Sequence, residues 1–168
     1  MAIDLAALTV PELLKLWSGT MSELQDRELV RTNNNPVGDL AEAIVHAHMG
    51  GERAGFSQKG WDIRTPDGER VQVKGMRKTA TTKRRNLSAI RDADYDSVVV
   101  VVFDADFGLT ETLKMTRPTV ESLFPHRAYV NGRIITLTTA LLSNPAVSKL
   151  DMSAAFARIS QPRRDSTQ

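Results

Sequence analysis

The sequence predicts one α/β domain in which helices flank both faces of a mixed β-sheet. Three stretches carry that prediction. Residues 36–49 place Val37, Leu40, Ala41, Ile44, Val45 and His48 at helical spacing, an apolar stripe suited to packing on a sheet. Residues 60–75, GWDIRTPDGERVQVKG, read as a β-hairpin. Residues 97–103, SVVVVVF, form a continuous β-branched run, as expected of a central strand buried on both faces.

In chain order, Thr9-Val10-Pro11-Glu12 and Thr20-Met21-Ser22-Glu23 both match a capping box, which predicts two short helices separated at Ser18-Gly19. Leu13, Leu14, Leu16 and Trp17 give the first an apolar face, so residues 1–35 are expected to form a helical layer packed on the core. The α/β domain then spans 36–160, and the polar residues 161–168 are expected to be a disordered tail. Asn35 is placed to cap the next helix with Pro36 at its first position, and Gly50-Gly51 to end it.

In the hairpin, Pro66 presets φ and Gly68 supplies a left-handed residue, which selects a three-residue loop with a bulge. That loop sets Thr65 opposite Glu69, Ile63 opposite Val71, Asp62 opposite Gln72 and Trp61 opposite Val73. Side chains alternate along a strand, so Trp61, Ile63, Val71 and Val73 collect on a core face. Asp62, Arg64, Arg70, Gln72 and Lys74 collect on the other, a candidate site.

Downstream, 76–86 reads as a basic loop, 87–92 as one or two helical turns, 108–115 as a neighbouring strand and 117–124 as a helix. Asn131-Gly132 signals a two-residue hairpin turn, and 138–142 and 153–159 read as helices. Asp104 and Asp106 fit either a strand-end turn or a metal pair. His46 and His48, two apart on a helix, point in different directions, which argues against zinc; His48 falls on the apolar stripe and His46 on the surface.

The chain of 168 residues has no cysteine, which excludes disulfide scaffolds and thiolate metal sites and suits a cytoplasmic location. No apolar run is long enough to span a membrane, and MAIDLAALTVPE lacks the basic start of a signal peptide. The net charge of +2 selects no partner, but its distribution is uneven. Residues 70–91 hold Arg70, Lys74, Arg77, Lys78, Lys83, Arg84, Arg85 and Arg91 and no acidic residue, a local field of the kind that attracts a phosphate backbone.

A helix carrying Glu42, a hairpin with Asp62 on one strand and Gln72-x-Lys74 on the next, and then a buried strand together resemble the PD-(D/E)XK nuclease superfamily. The variant most similar is the Mrr-like branch, in which glutamine replaces the second carboxylate; Trp61 precedes Asp62 where the motif's proline would stand. The resemblance covers about residues 36–104 and implies a restriction-endonuclease-like fold and a Mg²⁺-dependent DNA endonuclease, with Mn²⁺ as substitute and no small-molecule cofactor. It implies Asp62 as principal metal ligand, with Gln72, the Val73 carbonyl and Glu42 completing the site, and Lys74 orienting water or stabilising phosphate charge. Arg64, Arg70, Arg77, Lys78, Lys83, Arg84 and Arg85 would hold the DNA backbone. Cutting both strands calls for two sites and hence a homodimer. Two alternatives stay open: a non-cleaving nucleic-acid-binding member of the same fold, and an interaction module in which Asp62 and Lys74 form a surface ion pair.

Overall fold

Pairing begins at the turn. In the computed structural model, which describes residues 3–162, the Thr65 N–H donates to Glu69 O at 2.9 Å and the Gly68 N–H to Thr65 O at 2.9 Å, with Gly68 at φ +91°. The three-residue loop sets β2 (Ile63–Arg64) against β3 (Arg70–Arg77) with Ile63 opposite Val71, the predicted register. Trp61, Ile63, Val71 and Val73 are all buried, as the alternation requires.

Beyond Ile63 the register departs from expectation, since Asp62 and Gln72, and Trp61 and Val73, do not pair as ladder partners. The Asp62 N–H instead donates to Val71 O at 2.9 Å, and Asp62 O accepts from the Ala54 N–H at 2.8 Å. This second bond belongs to an unforeseen strand, β1 (Glu52–Arg53), antiparallel to β2.

β3 runs parallel to β4 (Ser97–Phe103), which pairs antiparallel with β5 (Leu109–Thr116) and through it with a short β6 (Ser148–Lys149) that the sequence did not signal. The sheet is thus mixed and six-stranded, in the order β1-β2-β3-β4-β5-β6. Every residue of β4 is buried. Val99, Val101 and Phe103 pack with Ile44 and Val45 of α2 (Val37–Met49), and Met152 joins them from the residue preceding α5 (Ser153–Ile159). Val98, Val100 and Val102 face the opposite way, onto Leu87, Ile90, Val120 of α3 (Arg117–Leu123) and Leu141 of α4 (Thr139–Leu142). One core lies on each face, and the whole forms a single α/β domain.

Helix α2 starts one residue later than expected: Pro36, not Asn35, is the cap residue, its carbonyl taking the first helical bond from Leu40, while Asn35 Oδ1 accepts from the Val37 N–H at 3.1 Å. Its start lies hard against β3. A Cβ at Gly75 would stand 2.8 Å from Val37 O and 3.1 Å from the Ala41 Cβ, so only glycine allows this approach. Gly75→Ala is therefore expected to destabilise the fold by about 1–3 kcal/mol through overpacking, read as a lowered midpoint of urea unfolding.

Four local expectations are corrected. The two N-terminal helices are one, α1 (Val10–Asp26). A single glycine costs a helix only about 1 kcal/mol, and the Thr20 and Ser22 hydroxyls donate to the carbonyls of Leu16 and Ser18 instead of capping a new start. The predicted packing face of that helix is largely exposed at Leu14, Leu16 and Trp17. Residues 87–92 are not helical: Leu87 and Ile90 bury, but Leu87 N–H donates to Ile135 O and Ile90 exchanges both backbone bonds with Arg133. Finally, Asn131 is left-handed as expected, yet it ends a 3-10 turn over Ala128–Val130, and the strands close at Arg127–Gly132, making a four-residue connection.

The tail expected at 161–168 lies outside the described residues from 163 onward. Among the described residues no helix is long and apolar enough to cross a membrane.

Candidate active site

The point where β2 peels away from β3 is occupied by a side chain. Asp62 Oδ2 accepts from the Val73 N–H at 2.6 Å, taking the place of a ladder carbonyl, and its other oxygen receives no hydrogen bond from the described residues. Burial raises the Asp62 carboxyl above the usual aspartate range, against the opposing pull of the Val73 N–H, Lys74, Arg31 and Arg53.

Glu42 reaches the same place from α2. Its carboxyl is raised first by burial and next by the negative charge of Asp62, so the two acids act on one another across the site. Lys74 completes the group. Burial lowers its ammonium below the ordinary lysine value while the charges of Asp62 and Glu42 push it back up. Among the described residues its ammonium makes no hydrogen bond or ion pair, so the Asp62–Lys74 surface pair of the interaction-module reading does not form. Gln72 is buried, and its Oε1 has no donor. Leu87 and Ile90 pack beside Met76 on the face shared by Gln72 and Lys74, and the charge of Arg91 reaches Lys74, so the basic crossover runs beside this face.

Two arginines that sequence reasoning missed hold the site together. Arg31 Nη2 lies 2.6 Å and Arg53 Nη2 3.3 Å from Glu42 Oε2, and all three side chains are mostly buried. Asp39 explains the first: it accepts from the Arg31 and Thr32 N–H groups, pinning that turn to the start of α2, and Glu42 lies three residues further on the same helical face. Arg31 Nη1 also donates to Ala54 O at 2.7 Å. Arg53 arrives on β1, which Gly51 permits. That glycine has φ +85°, and its Cβ would stand 2.0 Å from Arg64 O. Neither arginine had a periodic signal; the usable hint was an arginine two residues after the Gly50-Gly51 helix stop.

The predicted backbone-binding residues divide into two sets. Arg70 is bound by Asp94 and Asp96, and it holds the Asp96 carboxyl down at about 2. Arg77 donates to Ala105 O and lies over the Phe107 ring at 4.5 Å. Arg64 is exposed, 3.6 Å from Glu52 and stacked on Trp61 at 4.8 Å. Lys78, Lys83, Arg84 and Arg85 are exposed on the crossover.

The Asp104 and Asp106 question resolves toward structure, since Asp104 Oδ1 accepts from the N–H groups of Asp106 and Gly108, both at 2.8 Å, closing the β4–β5 turn. The histidine assignment reverses: His48 is exposed, and the half-buried His46 contacts Gly51 O at 3.0 Å. Among the described residues no three His, Cys, Asp or Glu side chains form a metal cluster. The donors at hand are all oxygens: the free Asp62 oxygen, the orphaned Gln72 Oε1 and backbone carbonyls. That set fits a hard divalent ion that keeps several waters, and does not fit zinc. The chain matches no protein-family model and no curated protein.

Proposed function

We propose that this chain is a Mg²⁺-dependent deoxyribonuclease of restriction-endonuclease-like fold. The observation that carries the reading is a largely buried lysine, Lys74, left without a partner among the described residues beside a partly buried aspartate whose second oxygen is also free of them. Burying such groups unpaired is costly for a fold and is the usual signature of a site that serves a ligand.

Asp62, Gln72 Oε1 and the Val73 carbonyl would hold Mg²⁺ or Mn²⁺, which when bound neutralises phosphate charge and acidifies water. The Val73 N–H fixes the rotamer of Asp62, so its free oxygen is presented in one direction. Lys74 carries a proton that burial makes easier to release, suited to stabilising or protonating a phosphate oxygen. Arg31 and Arg53 hold Glu42 in place and offset the mutual repulsion of the two acids. Lys78, Lys83, Arg84 and Arg85 would attract the DNA backbone without reading its sequence.

Cleavage of supercoiled plasmid and of linear single- and double-stranded DNA with Mg²⁺ or Mn²⁺ tests this. Metal-dependent nicking by the wild type, absent in Asp62→Ala and Lys74→Ala, is the expected result; no cleavage on any substrate would sink it. A pH profile adds a second check. Because burial raises the Asp62 carboxyl, protons compete with the metal at a higher pH than at an exposed aspartate. The Mg²⁺ concentration for half-maximal rate is expected to rise as pH falls toward that raised value. A flat dependence would remove Asp62 from the metal site.

One observation favours a second reading, nucleic-acid binding without cleavage: Glu42 is already met by two guanidinium groups, leaving Asp62 as the one carboxylate not paired with arginine. Salt-sensitive DNA binding with no cleavage under any metal would select it.

A further inference from the structure

The largest unexplained feature lies away from the site, on α1. Val10, Leu14 and Trp17 recur at i, i+4 and i+7, and they are 68%, 63% and 52% exposed. Ile3 and Leu16 are exposed too, but they lie round the helix from this stripe and line a separate groove with Glu12 and Lys15. Only the C-terminal half of α1 turns inward, through Met21 and Leu24. Next to the stripe runs an apolar groove of about 390 Å³ between α1 and the core, walled by Trp17, Leu24, Leu40, Phe107, Phe156 and Ile159. Trp17 belongs to both, so ridge and groove are one continuous surface.

We propose that two copies of this chain pair through this surface about a twofold axis, the Val10–Leu14–Trp17 ridge of each seated in the groove of the other. Two points select a second copy as occupant. Ridge and groove lie side by side on one molecule, so an isologous contact satisfies both at once. The area is also right. At roughly 60–120 Å² for an aliphatic side chain and about 250 Å² for tryptophan, the three exposed ridge side chains present on the order of 250 Å² of apolar surface. A standard interface buries about 800 Å² per partner, somewhat over half of it apolar, so the ridge alone supplies about half of the apolar area a stable dimer needs and the groove adds to it. The exposed half of α1 bears Glu12, already bonded to Thr9, and Lys15, a balanced pair that offers no handle to an acidic or basic partner.

Sedimentation velocity of the full chain from about 1 to about 100 μM spans the range in which a micromolar Kd is read. The wild type is expected at twice the chain mass. Leu14→Glu with Trp17→Glu, both outward-facing, is expected at the single-chain mass with an unchanged far-UV spectrum. A wild type that stays monomeric at the highest concentration, or a dimer that survives the double glutamate substitution, overturns the proposal.

Discussion

Asp62→Asn is expected to raise the melting temperature while reducing cleavage by about 10³-fold or more. Asparagine keeps an oxygen for the Val73 N–H, so the local geometry survives. What it removes is a carboxylate whose ionisation burial disfavours. The sign follows from linkage. A carboxyl whose folded-state value is raised binds more protons in the folded than in the unfolded chain, so stability falls as pH rises from the ordinary aspartate value through the raised one. The stabilisation by asparagine is therefore absent in acid and complete above the raised value. Its size is on the order of 1 kcal/mol, or roughly 2–4 °C for a chain of this length. Melting followed near the ordinary aspartate value of about 4 and again at progressively higher pH reads the effect, the gain from asparagine growing as pH rises. A purely structural aspartate gives the opposite result, with Asp62→Asn less stable at pH 8.

Arg31→Met is expected to be the most damaging single change at the site for stability. It removes the nearer of the two cations from Glu42 and leaves a mostly buried carboxylate facing Asp62 with only Arg53 to offset it. Breaking a buried pair costs about 3–5 kcal/mol; with Arg53 retained, about 2 kcal/mol is expected, a fall of roughly 4–8 °C. Two features separate this from simple loss of packing. The penalty shrinks in acid, where Glu42 protonates, and Glu42→Gln in the Arg31→Met background restores part of the lost stability. Chemical denaturation of the four proteins of that double-mutant cycle measures both. Equal and additive losses would mean that Arg31 acts through its bond to the Ala54 carbonyl rather than through Glu42.

The parts of this molecule written in local chemistry were legible in the sequence. Thr65-Pro66-Asp67-Gly68-Glu69 set the turn, the turn set the register of Ile63 against Val71, and that register put Asp62 near the lysine two residues past Gln72. The valine run announced its own burial on both faces. What escaped notice depends on distant segments meeting. Arg31 and Arg53 lie eleven residues to either side of Glu42 and reach it only because Asp39 pins one turn and Gly51 permits the other. Residues 87–92 looked helical because Leu87 and Ile90 are three apart, a spacing that an extended segment bonded to 133–136 accommodates equally well. The break expected at Ser18-Gly19 failed because a hydroxyl beside a glycine can bond backward along a helix as readily as it can cap a new one.

The parallel pairing of β3 with β4 requires a crossover, and here it is made by the irregular stretch between residues 78 and 96 rather than by a helix, basic and exposed at residues 83–86 and anchored in the core at Leu87, Ile90 and Tyr95. Arg31, Glu42, Arg53, Asp62, Gln72 and Lys74 all precede that stretch, whereas the strand that backs them along the whole length of β3 follows it. The chain is thus laid out as two pieces, one bearing the chemistry and the other its scaffold, joined by a tether where a protease specific for basic residues would cut. The halves would remain held by the ladder from Val71–Ser97 to Arg77–Phe103. Supplied separately, neither is complete, so the fold has the layout of a split reporter in which the site is assembled only when its two fragments meet.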